Sequence, residues 1–140
     1  MKSTLRVYIM VIIAIIVFGL AIVGWYLFRT VTADTPWLGS VSVRYRWGFP
    51  HLVEADQNRD GHIDTRAIWP GYKQNNVPEE AWIDAGFYGW YKYHLVYEKG
   101  ELVELEIDGD GDGSYESRII GESAKEYLRE NDDFTQRWWE

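Results

Sequence analysis

Two short segments of the sequence place oxygen-bearing side chains at every second residue. In the first, Asp56, Asn58, Asp60 and Asp64 occupy positions 1, 3, 5 and 9, and Gly61 occupies position 6. The same pattern returns 52 residues later. A calcium ion takes about six to eight oxygen ligands, and glycine at position 6 permits the sharp turn that wraps the backbone around it. The pattern predicts two calcium-binding loops, called here the first loop (residues 56–64) and the second loop (residues 108–116).

The expected ligands are the side chains at positions 1, 3, 5 and 9 and the main-chain carbonyl at position 7, because carbonyl oxygen suits Ca²⁺ better than imidazole nitrogen does. The second loop contains four acids and no basic residue, whereas Arg59 and His62 interrupt the three acids of the first loop. We therefore expect one or two bound Ca²⁺ ions, with tighter binding in the second loop. The predicted ligand residues are Asp56, Asn58, Asp60, His62 and Asp64, and Asp108, Asp110, Asp112, Ser114 and Glu116.

The D-x-[DN]-x-D-G pattern of both loops resembles the calcium loops of EF-hands, dockerins, thrombospondin type 3 repeats and the FG-GAP repeats of integrin-like propellers. The resemblance covers only the two nine-residue windows. At position 12, where a helical EF-hand carries a bidentate glutamate, this sequence has Ala67 and Ile119. The loops are more similar to the FG-GAP type, in which the loop closes a hairpin. This resemblance implies a metal site and no particular activity.

Each loop lies within a longer repeat. Residues 45–68 and 97–120 are identical at eight of 24 positions. Apolar and polar side chains alternate around each loop, as in half-buried strands. Neither repeat unit (41–68 or 93–120) can bury its apolar face alone. We therefore predict a mainly β fold, in which the two hairpin units form one small antiparallel domain with a short C-terminal helix.

Turn and capping residues predict several local features. Residues 98–101 are expected to form a hairpin turn around a glycine, and residues 48–50 to form the equivalent turn of the first unit. Residues 78–83 begin with proline and two acids, which favours a short helical turn. A capping box that begins at Ser123 predicts a helix over about 124–129.

Hairpin closure is also expected to pair charged side chains beside the two loops. Glu54 and Arg66 flank the first loop at matching distances, and Glu106 and Arg118 flank the second. Each arginine should therefore form an ion pair with its glutamate and brace the loop. Such surface pairs contribute about 0–1 kcal/mol.

The N-terminal part of the chain contains a long apolar segment. Residues 7–28 carry no charge over 22 residues, and a helix of that length extends about 33 Å, enough to cross a bilayer core. Lys2 and Arg6 precede the segment and only Arg29 follows it, which favours a cytoplasmic N-terminus. The alternative is a cleaved signal peptide, although the segment is longer than a signal-peptide core.

These features predict a single-pass protein of the cell membrane. Residues 1–33 would form the cytoplasmic N-terminus and the transmembrane anchor. Residues 34–140 would form a periplasmic or extracellular calcium-binding domain, in which the C-terminal helix and tail occupy 122–140.

The composition excludes several classes of function. All 22 acidic side chains lie within residues 34–140, together with 11 of the 14 basic ones. A domain this acidic repels phosphates, so we expect no nucleic-acid partner. The sequence contains no cysteine, which excludes disulfides, thiol nucleophiles and cysteine metal sites.

No catalytic motif stands out. The three histidines lack metalloprotease spacing, and Glu101, Glu104 and Glu106 have the spacing of strand side chains rather than of a glycosidase acid pair. We expect no enzymatic activity, and a non-catalytic accessory or structural subunit that contacts the lipid bilayer and integral membrane proteins. The first alternative is a tethered module that binds a glycan or cell-wall ligand through its aromatic rings, and a hydrolase is less favoured.

Overall fold

Eight strands and two helices form the part of the chain that the structure describes. The computed structural model describes the backbone of residues 2–72 and 76–131 and the side chains from residue 9 onward within these ranges. Each strand pairs antiparallel with its neighbours in chain order, so the sheet is an uninterrupted meander. The elements are α1 (Lys2–Leu27), β1 (Thr30–Thr35), β2 (Gly39–Arg46), β3 (Phe49–Asp56), β4 (Thr65–Ile68), β5 (Glu80–Ile83), β6 (Tyr93–Glu98), β7 (Glu101–Ile107), β8 (Ser117–Ile120) and α2 (Glu122–Glu130).

The mainly β fold and its antiparallel sheet are as predicted, and the backbone repeats with the sequence. The β2–β3 and β6–β7 hairpins each contain one register shift and one tight turn with two positive φ angles, at positions 52 residues apart. The register shifts lie at Arg44/Tyr45 and Val96/Tyr97, and the turns at Trp47/Gly48 and Lys99/Gly100. The two units therefore share irregular backbone features as well as strands.

A row of apolar side chains crosses one face of the sheet. Ala67, Ala81, Leu95 and Leu105 pair in adjacent registers on β4 to β7, and none of the four is exposed. Helix α2 packs beside β7 and β8 and adds Ala124 and Leu128 to this core. The small alanines lie on β4 and β5, and the larger leucines lie on β6 and β7.

Helix α1 meets the end of the sheet that carries the tight turns. Residues Ile9–Leu27 form a 19-residue apolar span with a mean hydropathy of 2.7, and none of its residues is buried in the described structure. The Gly48 N–H of the β2–β3 turn donates to the Leu27 carbonyl oxygen at 2.9 Å. Because the strands alternate in direction, the two acidic loops lie at the opposite end, together with the β1–β2 and β5–β6 connections.

Three local predictions are wrong. The segment 78–83 contains strand β5 rather than a helical turn, because pairing with β4 and β6 buries Ala81 and Ile83. The first unit turns at Trp47–Gly48 rather than at 48–50. Helix α2 includes the predicted residues, but its N-cap is Gly121, which has no side-chain cap bond, so Ser123 does not cap it.

Two further predictions have separate outcomes. The turn predicted over 98–101 is confirmed, with Lys99 and Gly100 at φ 54° and 88°. Residues 132–140 of the predicted C-terminal tail lie outside the described residues.

Candidate metal centre

Both acidic loops connect two antiparallel strands and are positioned by them in the same way. Strand β3 ends at Asp56, position 1 of the first loop, and β7 ends one residue before Asp108, position 1 of the second. The position-9 N–H closes each loop on the preceding strand. The Asp64 N–H donates to the Ala55 carbonyl at 2.9 Å, and the Glu116 N–H donates to the Ile107 carbonyl at 3.1 Å. Positions 1 and 9 therefore face each other across the base of a hairpin.

The second loop gathers four carboxylates. One oxygen from each of Asp108, Asp110, Asp112 and Glu116 lies within 4.8 Å of the others. Asp108 is only 2% exposed, whereas the other three carboxylates face solvent. Among the described residues this is the one place where three or more acidic or histidine side chains converge in this way. Oxygen ligands in such a cluster are those that a hard divalent cation prefers.

Backbone N–H groups hold these carboxylates in place. Asp108 accepts from the N–H of Gly111 at 2.6 Å and of Gly113 at 3.0 Å. Asp112 accepts from the Ser114 N–H at 2.7 Å, and Glu116 accepts from the Gly109 N–H at 2.7 Å. These hydrogen bonds hold the carboxylates of Asp108, Asp112 and Glu116 against the loop backbone, although Asp112 and Glu116 remain exposed to solvent.

The first loop repeats three of these four hydrogen bonds. Asp56 accepts from the Gly61 N–H at 3.0 Å, and Asp60 accepts from the His62 N–H at 2.8 Å. Asp64 accepts from the Gln57 N–H at 2.6 Å. The Asn58 amide donates to Asp60 at 2.9 Å. At the equivalent positions 3 and 5 the second loop instead has two like charges, Asp110 and Asp112.

One oxygen of the first loop has no partner in the described structure. Oδ1 of Asp56 is buried and accepts no hydrogen bond, whereas its Oδ2 accepts from Gly61. A buried polar atom without a partner costs about 1–3 kcal/mol. A cation held in this loop would supply the missing partner, so this donor set fits a divalent metal.

The electrostatics of the first loop differ between its two ends. The backbone hydrogen bond from His62 lowers the pKa of Asp60 below its ordinary value of 3.8. Burial raises the pKa of Asp64 above that value, and the nearby carboxylates of Asp56 and Asp60 act in the same direction. Asp64 is 1% exposed, so ionising it without a counter-charge is unfavourable.

The predicted ion pairs beside the loops have different outcomes. Arg66 pairs with Glu54 as expected, with Nε 3.6 Å from Oε1. Arg118 pairs instead with Glu104, one of whose oxygens accepts from Nη2 at 2.6 Å. Glu106 is engaged by His94, whose Nδ1 lies 2.8 Å from Oε2. The first unit has Ser42 and Leu52 where the second has His94 and Glu104. Arg66 therefore has no second glutamate at that position, and no histidine competes for Glu54.

An aromatic ring that the sequence analysis missed supports the second loop. Gly111, at position 4, has φ 77°, and a side-chain carbon built on it would lie 2.6 Å from the Trp90 ring. Trp90 comes from the β5–β6 connection and stacks on Tyr88 with ring centroids 5.0 Å apart. The second loop therefore rests against the neighbouring connection.

That connection repeats backbone features of the first six positions of the acidic loops without their oxygen ligands. Asp84 accepts from the N–H of Gly89, five residues later, at 2.6 Å, and Phe87 at its fourth position has φ 54°. Gly86 and Tyr88 replace the oxygen ligands at positions 3 and 5. The D-x-x-[WF]-x-G pattern shared by residues 34–39 and 84–89 is the sequence signal that could have identified these connections.

No protein-family model and no curated protein matches this chain.

Proposed function

We propose that this protein is a non-catalytic, single-pass membrane protein whose exported domain is stabilised by Ca²⁺. The convergence of Asp108, Asp110, Asp112 and Glu116 within 4.8 Å carries the proposal. Four carboxylates at this distance repel one another, and a divalent cation converts the repulsion into ligation. The second loop would bind first. The first loop would bind more weakly, through Asp56, Asn58, Asp60, Asp64 and the His62 carbonyl.

Ca²⁺ is the metal that this ligand chemistry favours. Both loops offer carboxylate, amide and carbonyl oxygens and no thiolate, and oxygen-only sites suit Ca²⁺ or Mg²⁺ rather than Zn²⁺. A nine-residue loop that supplies most of the ligands suits the larger, more flexible Ca²⁺ shell, since Mg²⁺ keeps several of its waters. Isothermal titration of the full chain in detergent should show Ca²⁺ binding and little heat with Mg²⁺.

The membrane anchor is supported by α1. Its apolar span is exposed along its length, and an exposed surface of this size in water would be unfavourable. The basic residues before the span favour a cytoplasmic N-terminus and an exported sheet. Alkaline extraction of membranes from expressing cells tests this proposal. An anchored chain stays in the pellet at full length, and a cleaved one is released without residues 1–33.

An accessory role in a larger membrane complex is supported by exposed aromatic rings at the loop end of the sheet. Trp37 is 84% exposed, and Phe87 and Tyr88 are also exposed. These rings lie on connections that adjoin the calcium loops, so metal binding would fix the surface that a protein partner contacts. Purification from mild detergent with Ca²⁺ should retain an integral membrane partner in fixed stoichiometry, and a chelator should release it.

The same rings favour one alternative, a tethered module that binds a glycan. Stacking of Tyr88 on Trp90 beside the second loop provides an aromatic platform next to a metal site. Retention of the purified chain on cell-wall polysaccharide in Ca²⁺, with no protein partner recovered, would favour this alternative over the accessory subunit.

A further inference from the structure

We propose that the β2–β3 hairpin tip contacts the phospholipid headgroups of the bilayer that α1 crosses, and that Trp47 enters this layer. The inference rests on the proposed membrane anchor. It adds to the anchor a direct contact between the sheet and the membrane surface.

The hairpin tip touches the end of the apolar span. The Gly48 N–H donates to the carbonyl oxygen of Leu27, the last residue of the span, at 2.9 Å. The Trp47 ring meets Phe28 edge-on, with centroids 4.9 Å apart. Trp47 nevertheless remains 55% exposed. A bilayer that ends near Leu27 would therefore place the open side of this ring at headgroup depth.

The turn itself does not require tryptophan. Trp47 has φ 55°, in the left-handed region where hairpin turns prefer asparagine, aspartate or glycine. A bulky residue there is uncommon and strained. The exposed ring also adds little to the core. Tryptophan is enriched where an apolar ring can lie in the membrane interface with its N–H toward water, which accounts for its presence at this tip.

The charges around the tip fit lipid phosphates. Arg46 precedes Trp47 and is exposed, and Arg29 lies beside Tyr45, with its guanidinium carbon 4.3 Å from the ring centroid. Residues 35–53 contain no acid, in a domain that is otherwise strongly acidic. The equivalent tip of the second unit is Glu98-Lys99-Gly100-Glu101. Guanidinium groups pair well with phosphate, so the two tips have different surface chemistry although their backbones match.

Tryptophan quenching by brominated lipid tests the inference. The full-length chain is reconstituted into vesicles of phosphatidylcholine brominated near the headgroup end of one acyl chain. Trp47→Phe is compared with Trp37→Phe, which removes an exposed ring at the far end of β1. Six strand residues separate the two ends by about 20 Å. We expect Trp47→Phe to remove part of the lipid-quenched emission, and Trp37→Phe to remove only emission that the lipid does not quench.

Equal loss of unquenched emission in both variants would overturn the inference. A second measurement needs no change at Trp47 and uses the full-length wild-type chain in bilayer nanodiscs. Lipid that carries a nitroxide on its headgroup should broaden the indole N–H resonance of Trp47 and leave that of Trp37 sharp. Equal broadening of the two resonances, or of neither, would also contradict the inference. If alkaline wash removes the intact chain from the vesicles, the proposed anchor fails. If the chain stays and Trp47 emission is not lipid-quenched, only this inference fails.

Discussion

At the scale of single residues, the acidic loops hold like charges close together without a fixed counter-charge from the described protein. Backbone N–H groups aim the carboxylates of Asp108, Asp112 and Glu116 inward. These hydrogen bonds offset part of the repulsion, and a buried oxygen of Asp56 still has no partner. A cation that binds the folded loops would supply the missing interactions, which explains why alternating acids are placed in tight turns.

Asp112→Asn tests this view of the second loop. The change removes one of four converging charges and keeps an oxygen that can accept from the Ser114 N–H. We expect Ca²⁺ affinity to fall about tenfold or more, while the metal-free chain is no less stable than the wild type, because repulsion also falls. Calcium titration and chemical unfolding in chelator measure the two effects. Glu130→Gln, an exposed change on α2, should alter neither.

The pH dependence of the metal-free chain tests the role of Asp64. Burial raises the pKa of Asp64 in the folded state, so the folded chain binds more protons than the unfolded chain between pH 3.8 and that raised pKa. The contribution of this group to the free energy of unfolding therefore falls as the pH rises through this window. In Asp64→Asn the fall should be smaller, because the amide keeps the acceptor oxygen and does not ionise.

Unfolding in chelator, followed across this pH range, compares the two chains. Identical pH profiles for wild type and Asp64→Asn would contradict the assignment of Asp64 as a buried group that ionises at a cost. Saturating Ca²⁺ should flatten the wild-type profile, because the ion favours the ionised carboxylate.

At the scale of elements, the spacing of nearby residues predicted the loops and the repeat, whereas strand β5 and one ion pair depend on pairing between strands. The ligand pattern and the glycine turns depend on residues a few positions apart, so the sequence contains them directly. Strand β5 could not be recognised in this way, because Pro78 and the two acids that follow favour a helical turn until β4 and β6 pair with the segment. The Arg118–Glu104 pair likewise depends on His94, which lies on β6 and takes Glu106 as its partner.

Contact between the second loop and the β5–β6 connection gives an element-scale prediction. Gly111→Ala would place a methyl group 2.6 Å from Trp90 and force alanine to a φ of 77°. We expect a loss of at least about 1–2 kcal/mol in the free energy of unfolding, since left-handed backbone alone costs that much. Gly109→Ala is the matched control, because its nearest contact is the Glu116 carboxylate at 3.5 Å. Equal losses in the two variants would show that Trp90 and the backbone do not constrain position 111.

At the scale of the whole molecule, the two ends of the sheet differ in chemistry. The end beside α1 carries the Arg46–Trp47 tip, and the opposite end carries both acidic loops and the exposed rings of Trp37 and Phe87. The sequence predicted the anchor and the acidic domain as separate parts. It did not show how they are joined, because the contacts between Leu27, Phe28 and the β2–β3 turn depend on the fold of the meander.

Stabilisation of the domain by Ca²⁺ is tested by the free energy of unfolding of the full chain in detergent, measured with Ca²⁺ and with a chelator. Each site should add about 2.7 kcal/mol when free Ca²⁺ is 100 times its dissociation constant. We predict that stability rises with the logarithm of the Ca²⁺ concentration and that Mg²⁺ at equal concentration has a much smaller effect. The same unfolding midpoint in millimolar Ca²⁺ and in chelator would contradict a metal-stabilised domain.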